Sequence, residues 1–126
     1  MGLIDDSKRI NEIDQQEERA ILVGLITPQQ GEAKAKEYLD ELEFLAETAG
    51  ATTVRTFLQR CDGPNSTSYV GKGKLEEIVA FIEENDISLV IFDDDLTPKQ
   101  IAFIEKAVKI KTVNIKSSHK KKKFFL

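Results

Sequence analysis

Two apolar patterns alternate along this chain, and together they predict its elements. Ala20 to Ile26 is a nearly continuous apolar run, and Ser88 to Phe92 is another. Short runs of this kind suit strands of a parallel sheet that is covered on both faces. Thr52 to Cys61 is β-branched and alternating, which predicts a strand more exposed than the first. Lys111 to Ile115 predicts a last, short strand. Between these runs the apolar period lengthens to three and four. Ala35, Tyr38, Leu39, Leu42, Leu45, Ala46 and Ala49 fall along one helical stripe. Leu75, Ile78, Val79 and Ile82 form a second stripe, and Ile101, Ile104 and Val108 a third.

Local signals place the boundaries. Thr27-Pro28-Gln29-Gln30 and Thr97-Pro98-Lys99-Gln100 both read as capping boxes with proline at the first helical position. Gly50 suits the left-handed residue that ends a helix. Asp62 to Thr67 is turn chemistry, followed by a short extended piece at Ser68 to Val70. The order β-α-β-(β)-α-β-α-β predicts a single α/β domain: a mostly parallel, four- to five-stranded sheet flanked by helices. Residues 1–18 read as a polar lead-in, 19–115 as the α/β domain and 116–126 as a lysine-rich tail.

A length of 126 residues fits one domain with a core large enough to need no disulfide or metal. The net charge of −4 conceals two halves. Met1 to Glu105 holds 22 acidic and 10 basic residues, whereas Lys106 to Leu126 holds eight lysines and no acid. An acidic body disfavours nonspecific binding of nucleic acid over the whole surface, so any RNA contact is expected to be local. No apolar run approaches the roughly 20 residues of a membrane span. The first residues are too charged for a signal peptide, and Asp6 breaks the myristoylation pattern. With Cys61 the lone cysteine, a reducing compartment and a cytoplasmic protein are expected.

Two loops carry candidate chemistry. In YVGKGKLEEI, Gly71 and Gly73 suit a sharp backbone turn, and Lys72 and Lys74 stand at a helix start where amides point outward. The spacing is not that of a Walker A loop. The plainer reading is a glycine-rich helix entry with solvated lysines. Asp93-Asp94-Asp95-Leu96-Thr97 resembles the D-x-D-x-T nucleophile loop of the haloacid-dehalogenase phosphatases. That family places its loop after the first strand and needs a lysine and further acids far downstream. A solvated loop whose acids favour a helix N-terminus is the plainer account. His119 lies among the tail lysines, and Cys61, though near Arg60, reads as a structural or incidental thiol. Glu17 and Glu18, like Glu76 and Glu77, are neighbours in sequence and do not converge. No catalytic constellation is visible.

The strings ERAILVGL, LDELEFLAETAGA, LQR, YVGKGKLEEI and LVIFDDDLTPKQ, in this order, resemble the N-terminal domain of the HflX family of ribosome-associated GTPases, from about Glu18 to Lys111. The resemblance implies an α/β unit beside a helical linker and a P-loop GTPase domain, in a protein that binds the large ribosomal subunit and splits stalled or idle ribosomes. It implies that this part contributes ribosomal RNA contacts and restrains GTPase activity; an ATP-linked activity has also been ascribed to it in some members. The family continues with an Asp-Arg-Thr-like turn and an apolar segment where this chain reads Val113 to Leu126, ending in lysines and Phe124-Phe125-Leu126. A reading frame that stops early or shifts is the expectation there.

The P-loop, DxxG and NKxD motifs are not among these residues. Hydrolysis, GTP and Mg²⁺ are therefore expected only of a GTPase domain, with no cofactor held by this chain. The expected function is a noncatalytic ribosome-binding and regulatory domain. Its partners would be the large ribosomal subunit and its RNA, with no membrane. Arg60, Gly71, Lys72, Gly73 and Lys74 are the candidate phosphate contacts, chosen by charge and loop placement. The alternatives are an autonomous nucleotide-binding or phosphatase-like enzyme, or a functionless truncated fragment that self-associates through surface left bare.

Overall fold

The structure is a computed structural model, and it describes residues 18–116. Its elements run β1 (Glu18–Ile26), α1 (Glu32–Thr48), β2 (Ala51–Arg60), α2 (Lys72–Glu84), β3 (Leu89–Phe92), α3 (Pro98–Val108) and β4 (Lys111–Asn114). Four strands form one sheet in the order β2-β1-β3-β4, and every neighbouring pair is parallel. The chain first steps from β1 to β2 in one direction, then crosses back to β3 and on to β4. Right-handed crossovers in opposite directions place their helices on opposite faces. Accordingly α1 packs with Ala20, Leu22, Leu89 and Ile91 on one face. Helices α2 and α3 pack with Ile21, Val23, Val90 and Phe92 on the other.

The position of each strand explains its sequence. β1 is central and covered on both faces, so Ala20 through Ile26 are all buried and no polar residue interrupts them. Burying a side chain such as Ile21 or Leu22 contributes roughly 1.5–3 kcal/mol. β2 is an edge strand and is only partly buried, which is why it keeps polar residues. Its register skips from Ala20↔Thr53 to Ile21↔Arg55, leaving Val54 as a bulge. After the bulge, Arg55 and Gln59 reach α2 and its entry, while Arg60 reaches Glu32 on α1.

Several boundaries differ from the sequence pattern. Glu18 already pairs with Ala51 in β1. No strand forms at Ser68 to Val70; Tyr69 closes a tight loop by pairing with Asn65 in both directions. Helix α1 does not begin at Pro28. Thr27 and Gln30 exchange backbone hydrogen bonds at 3.0 Å, and the Gln30 carboxamide donates to the Leu25 carbonyl. Gly31 follows in extended conformation and becomes the N-cap, so the helix starts at Glu32. The second box forms as expected: Thr97 Oγ1 accepts from the Gln100 amide, and Gln100 Oε1 accepts from the Thr97 amide. Gly50 ends α1 with a φ of 97°. The expectations for residues 1–17 and for the tail beyond Lys116 lie outside the described residues.

Candidate functional site at the strand exits

In an open parallel sheet the strand exits diverge where the helices change face, and a crevice opens there. In this fold the change falls between β1 and β3. The crevice has a volume of about 250 Å³ and is lined by Leu25, Thr27, Gln29, Gln30, Tyr38, Gly63, Pro64, Tyr69, Asp93, Asp94 and Lys116. Its walls are the exits of β1, β2, β3 and β4. The β1 turn is held by the Thr27–Gln30 exchange described above. The β2 exit loop is held by Asn65, whose Oδ1 accepts from the amides of Thr67 and Ser68 at 2.8 and 2.9 Å. Gln100, buried in α3, donates to the Asn65 carbonyl at 2.6 Å, so one side chain both caps a helix and anchors the loop.

Tyr69 occupies the centre of this arrangement. Its backbone is left-handed, with φ 66°, and its ring meets Phe92 edge-on at 5.4 Å. The phenol donates to Asp94 Oδ2 at 3.1 Å. Burial, and then the nearby carboxylate of Asp94, push the phenol well above its ordinary pKa. Asp94 also accepts from the Asp95 amide at 2.7 Å and faces Lys116 Nζ at 4.0 Å. Asp93, its neighbour in sequence, is buried. A carboxylate engaged by a phenol, an amide and an ammonium is a structural hub, and the middle member of the aspartate run is therefore committed to holding the rim. Among the described residues no three His, Cys, Asp or Glu side chains converge where an ion could sit.

The residues selected from sequence do not form one site. Arg60 lies on the α1 side, where it pairs with Glu32 beside an open hollow of about 440 Å³ that Ile26, Pro28 and Cys61 also line. Lys36 and then Arg60 hold the Glu32 carboxyl below its ordinary pKa. Lys72 and Lys74 lie on the α2 side, in the first turn of that helix. Lys74 pairs with Glu77 at 3.2 Å, and Glu77 also binds Arg55 at 3.2 Å. Lys72 is exposed and has no ion pair among the described residues. Neither Gly71 nor Gly73 makes the sharp turn; the left-handed residue is Tyr69. Gly71 serves instead as an extended N-cap with φ −66°, its amide donating to Gln59 Oε1 at 2.8 Å. A Cβ there would stand 3.0 Å from Gln59 Nε2. An amide already occupied by a carboxamide does not fit the phosphate cradle of a nucleotide loop.

Sequence reasoning puts Asn65 and Tyr69 in a connecting segment and Gln100 in a helix cap, but does not foresee the bonds that join them to the rim. Their bonds join residues 25 to 35 positions apart, and a turn-rich string gives only the loop, not what it grips.

Fold and rim together define an open α/β domain whose strand exits enclose a crevice. Comparison with known proteins sharpens the class. The family described as GTP-binding GTPase N-terminal matches residues 36–116, and the chain belongs to that family. It is similar to the GTPase HflX of Flavobacterium psychrophilum, with 47% identity over 97 residues, covering 77% of this chain and 24% of that protein. It is also similar to the GTPase HflX of Caldanaerobacter subterraneus subsp. tengcongensis, with 42% identity over 105 residues, covering 83% of this chain and 24% of the relative. The chain thus spans about a quarter of the length of these curated relatives. A crystal structure of a mutation variant of SsGBP shares the fold, with a TM-score of 0.57 at 24% identity, covering 79% of this chain and 29% of that one. No described helix is long and apolar enough to cross a membrane.

Proposed function

We propose that this domain is a noncatalytic recognition and regulatory unit of an HflX-type GTPase, acting in the cytoplasm and contacting the large ribosomal subunit through its RNA. Family membership carries the reading, because relatives bearing this domain are GTPases. In this reading GTP and Mg²⁺ belong to a GTPase domain and hydrolysis takes place there. Local electrostatics support an RNA contact at α2. That helix has Lys72 and Lys74 in its first turn and no acid there, and Lys72 is exposed, so positive charge gathers at its N-terminal end. Arg60 is a separate candidate contact, on the opposite face of the sheet.

Cosedimentation of the chain with purified large subunits over a range of salt tests this reading. Binding is expected, with log affinity falling linearly with log salt. The pair Lys72→Ala and Lys74→Ala should weaken binding and flatten that slope by about 1–2, as expected for two lost phosphate contacts. Unchanged affinity in the double variant removes the α2 assignment. Absence of binding to either subunit, or nucleotide turnover by the purified domain, overturns the function itself.

A further inference from the structure

Helices α2 and α3 lie side by side on one face of the sheet, and a hollow of about 320 Å³ opens on their outward side. It is lined by Leu75, Glu76, Val79, Ala80, Glu83 and Ala107, and the short side chains of Ala80 and Ala107 leave it open. A cavity of roughly 150 Å³ already takes up benzene, so a phenyl ring fits. Phe103 stands one turn before Ala107, on the side of α3 that borders the hollow, and is 44% exposed. The charges around this apolar strip are sorted by helix. Glu76 and Glu83 stand on α2 two turns apart, about 10 Å along its axis. Lys99 and Lys106 flank Phe103 on α3 with the same spacing. All four are exposed, and no ion pair among the described residues engages any of them.

We propose that this face binds a second copy of the same chain about a two-fold axis. The Phe103 ring of each copy enters the hollow of the other, and the lysines of each α3 meet the glutamates of the other copy's α2. The face carries both halves of what it needs. A ring stands beside a hollow that admits one, and a row of acids stands beside a row of lysines with equal spacing. An isologous contact uses every such feature twice, and self-complementarity is its requirement. The outer face of α1 has the opposite character. Its exposed Phe44 has Asp40, Glu41 and Glu47 as helical neighbours and no base, so two such faces repel. Two short helices make a small interface, so the pairing is weak, with a dissociation constant on the order of 100 µM. The RNA contact proposed above uses none of these side chains, and the pairing does not depend on it.

Sedimentation equilibrium of the full 126-residue chain, from about 10 µM to about 1 mM, tests this. A monomer–dimer equilibrium is expected, and Phe103→Ser should weaken it by about tenfold or more. Glu76→Lys together with Glu83→Lys sets lysines against lysines and should leave a monomer. Lys99→Glu together with Lys106→Glu sets acids against acids and should do the same. An equimolar mixture of these two double variants restores an opposite charge at every pair, so a heterodimer is expected there and in neither variant alone. A parent chain that stays monomeric at the highest concentration overturns the proposal. So does a dimer undiminished by Phe103→Ser, or a mixture of the two double variants that stays monomeric.

Discussion

The Tyr69 phenol donates to the Asp94 carboxylate across 25 residues of sequence, and this bond ties the β2 exit loop to the β3 exit. Removing the hydroxyl in Tyr69→Phe keeps the edge-on contact with Phe92 and is expected to cost about 1 kcal/mol, measured by urea unfolding at neutral pH. The pH dependence is more diagnostic. Burial, followed by Asp94, raises the folded-state pKa of this phenol above its ordinary value of 10.0. Below that value the phenol is neutral in both states and its contribution is complete. Above it the unfolded chain loses the proton first, so stability falls as pH rises, by at most about 1.4 kcal/mol per pH unit. Unfolding midpoints between about pH 8 and 11 should decline above 10 in the parent chain and decline less steeply in Tyr69→Phe. Parallel curves would show that Tyr69 does not govern the alkaline limb.

Gly71 and Gly73 look interchangeable in sequence but meet different surroundings. At Gly71 a Cβ would press on Gln59 Nε2 at 3.0 Å, and the same carboxamide holds the Gly71 amide. Gly71→Ala is expected to displace Gln59 and lose about 1 kcal/mol. At Gly73, inside the first turn of α2, a Cβ meets nothing within 4 Å. Alanine there should raise stability by about 0.5 kcal/mol, because it restricts the unfolded chain and favours the helix. Thermal unfolding of the two single variants should therefore shift in opposite directions. A shared direction would mean that the contact with Gln59 is not what selects glycine at position 71.

The two Thr-Pro-x-Gln strings show where sequence pattern stops being sufficient. Strand β1 was legible because burial on both faces forces an unbroken apolar run, and β2 because an edge strand keeps polar residues. The string at Thr97 also kept its promise: Ile101 follows Gln100 and continues the apolar stripe of α3. After Gln30 comes Gly31, which stays extended, and the same four-residue grammar closes a turn instead. The rim was less legible still. Charge drew attention to Arg60, Lys72 and Lys74, yet alternation along β2 after its bulge sends Arg60 toward α1 and Gln59 toward the start of α2. Which face a side chain takes depends on Val54, a one-residue register shift that no periodicity announces.

The same pair of strings yields a mutational contrast. Thr97→Ala removes one half of a reciprocal cap at the start of α3 and is expected to cost about 1 kcal/mol. It also loosens Gln100, whose carboxamide reaches the Asn65 carbonyl, so amide exchange should quicken in the Asn65–Tyr69 loop as well as in α3. Thr27→Ala removes the contact from Thr27 Oγ1 to the Gln30 amide but leaves the two backbone hydrogen bonds that close the turn. Its cost should be a few tenths of a kcal/mol, at the low end of the range for lost caps. Equal losses in the two variants would contradict the assignment of a full cap to Thr97 alone.

Arg55 offers a separation of stacking from ion pairing on the exposed edge of the sheet. Its guanidinium lies 4.4 Å from the Phe57 ring centroid and 5.1 Å from that of Phe81, while one nitrogen meets Glu77 at 3.2 Å. The two rings pack edge-on at 5.6 Å, and the planar cation lies over both. The ion pair is half exposed, and such pairs contribute about 0–1 kcal/mol. A guanidinium over aromatic faces contributes about 0.5–1 kcal/mol at an exposed site, and lysine reproduces the charge without the plane. Arg55→Lys should therefore cost more than Glu77→Gln, and its cost should persist in high salt, where the pair is screened. If Glu77→Gln proves the more damaging change, or if salt erases the Arg55→Lys deficit, the charge pair and not the stack holds this edge.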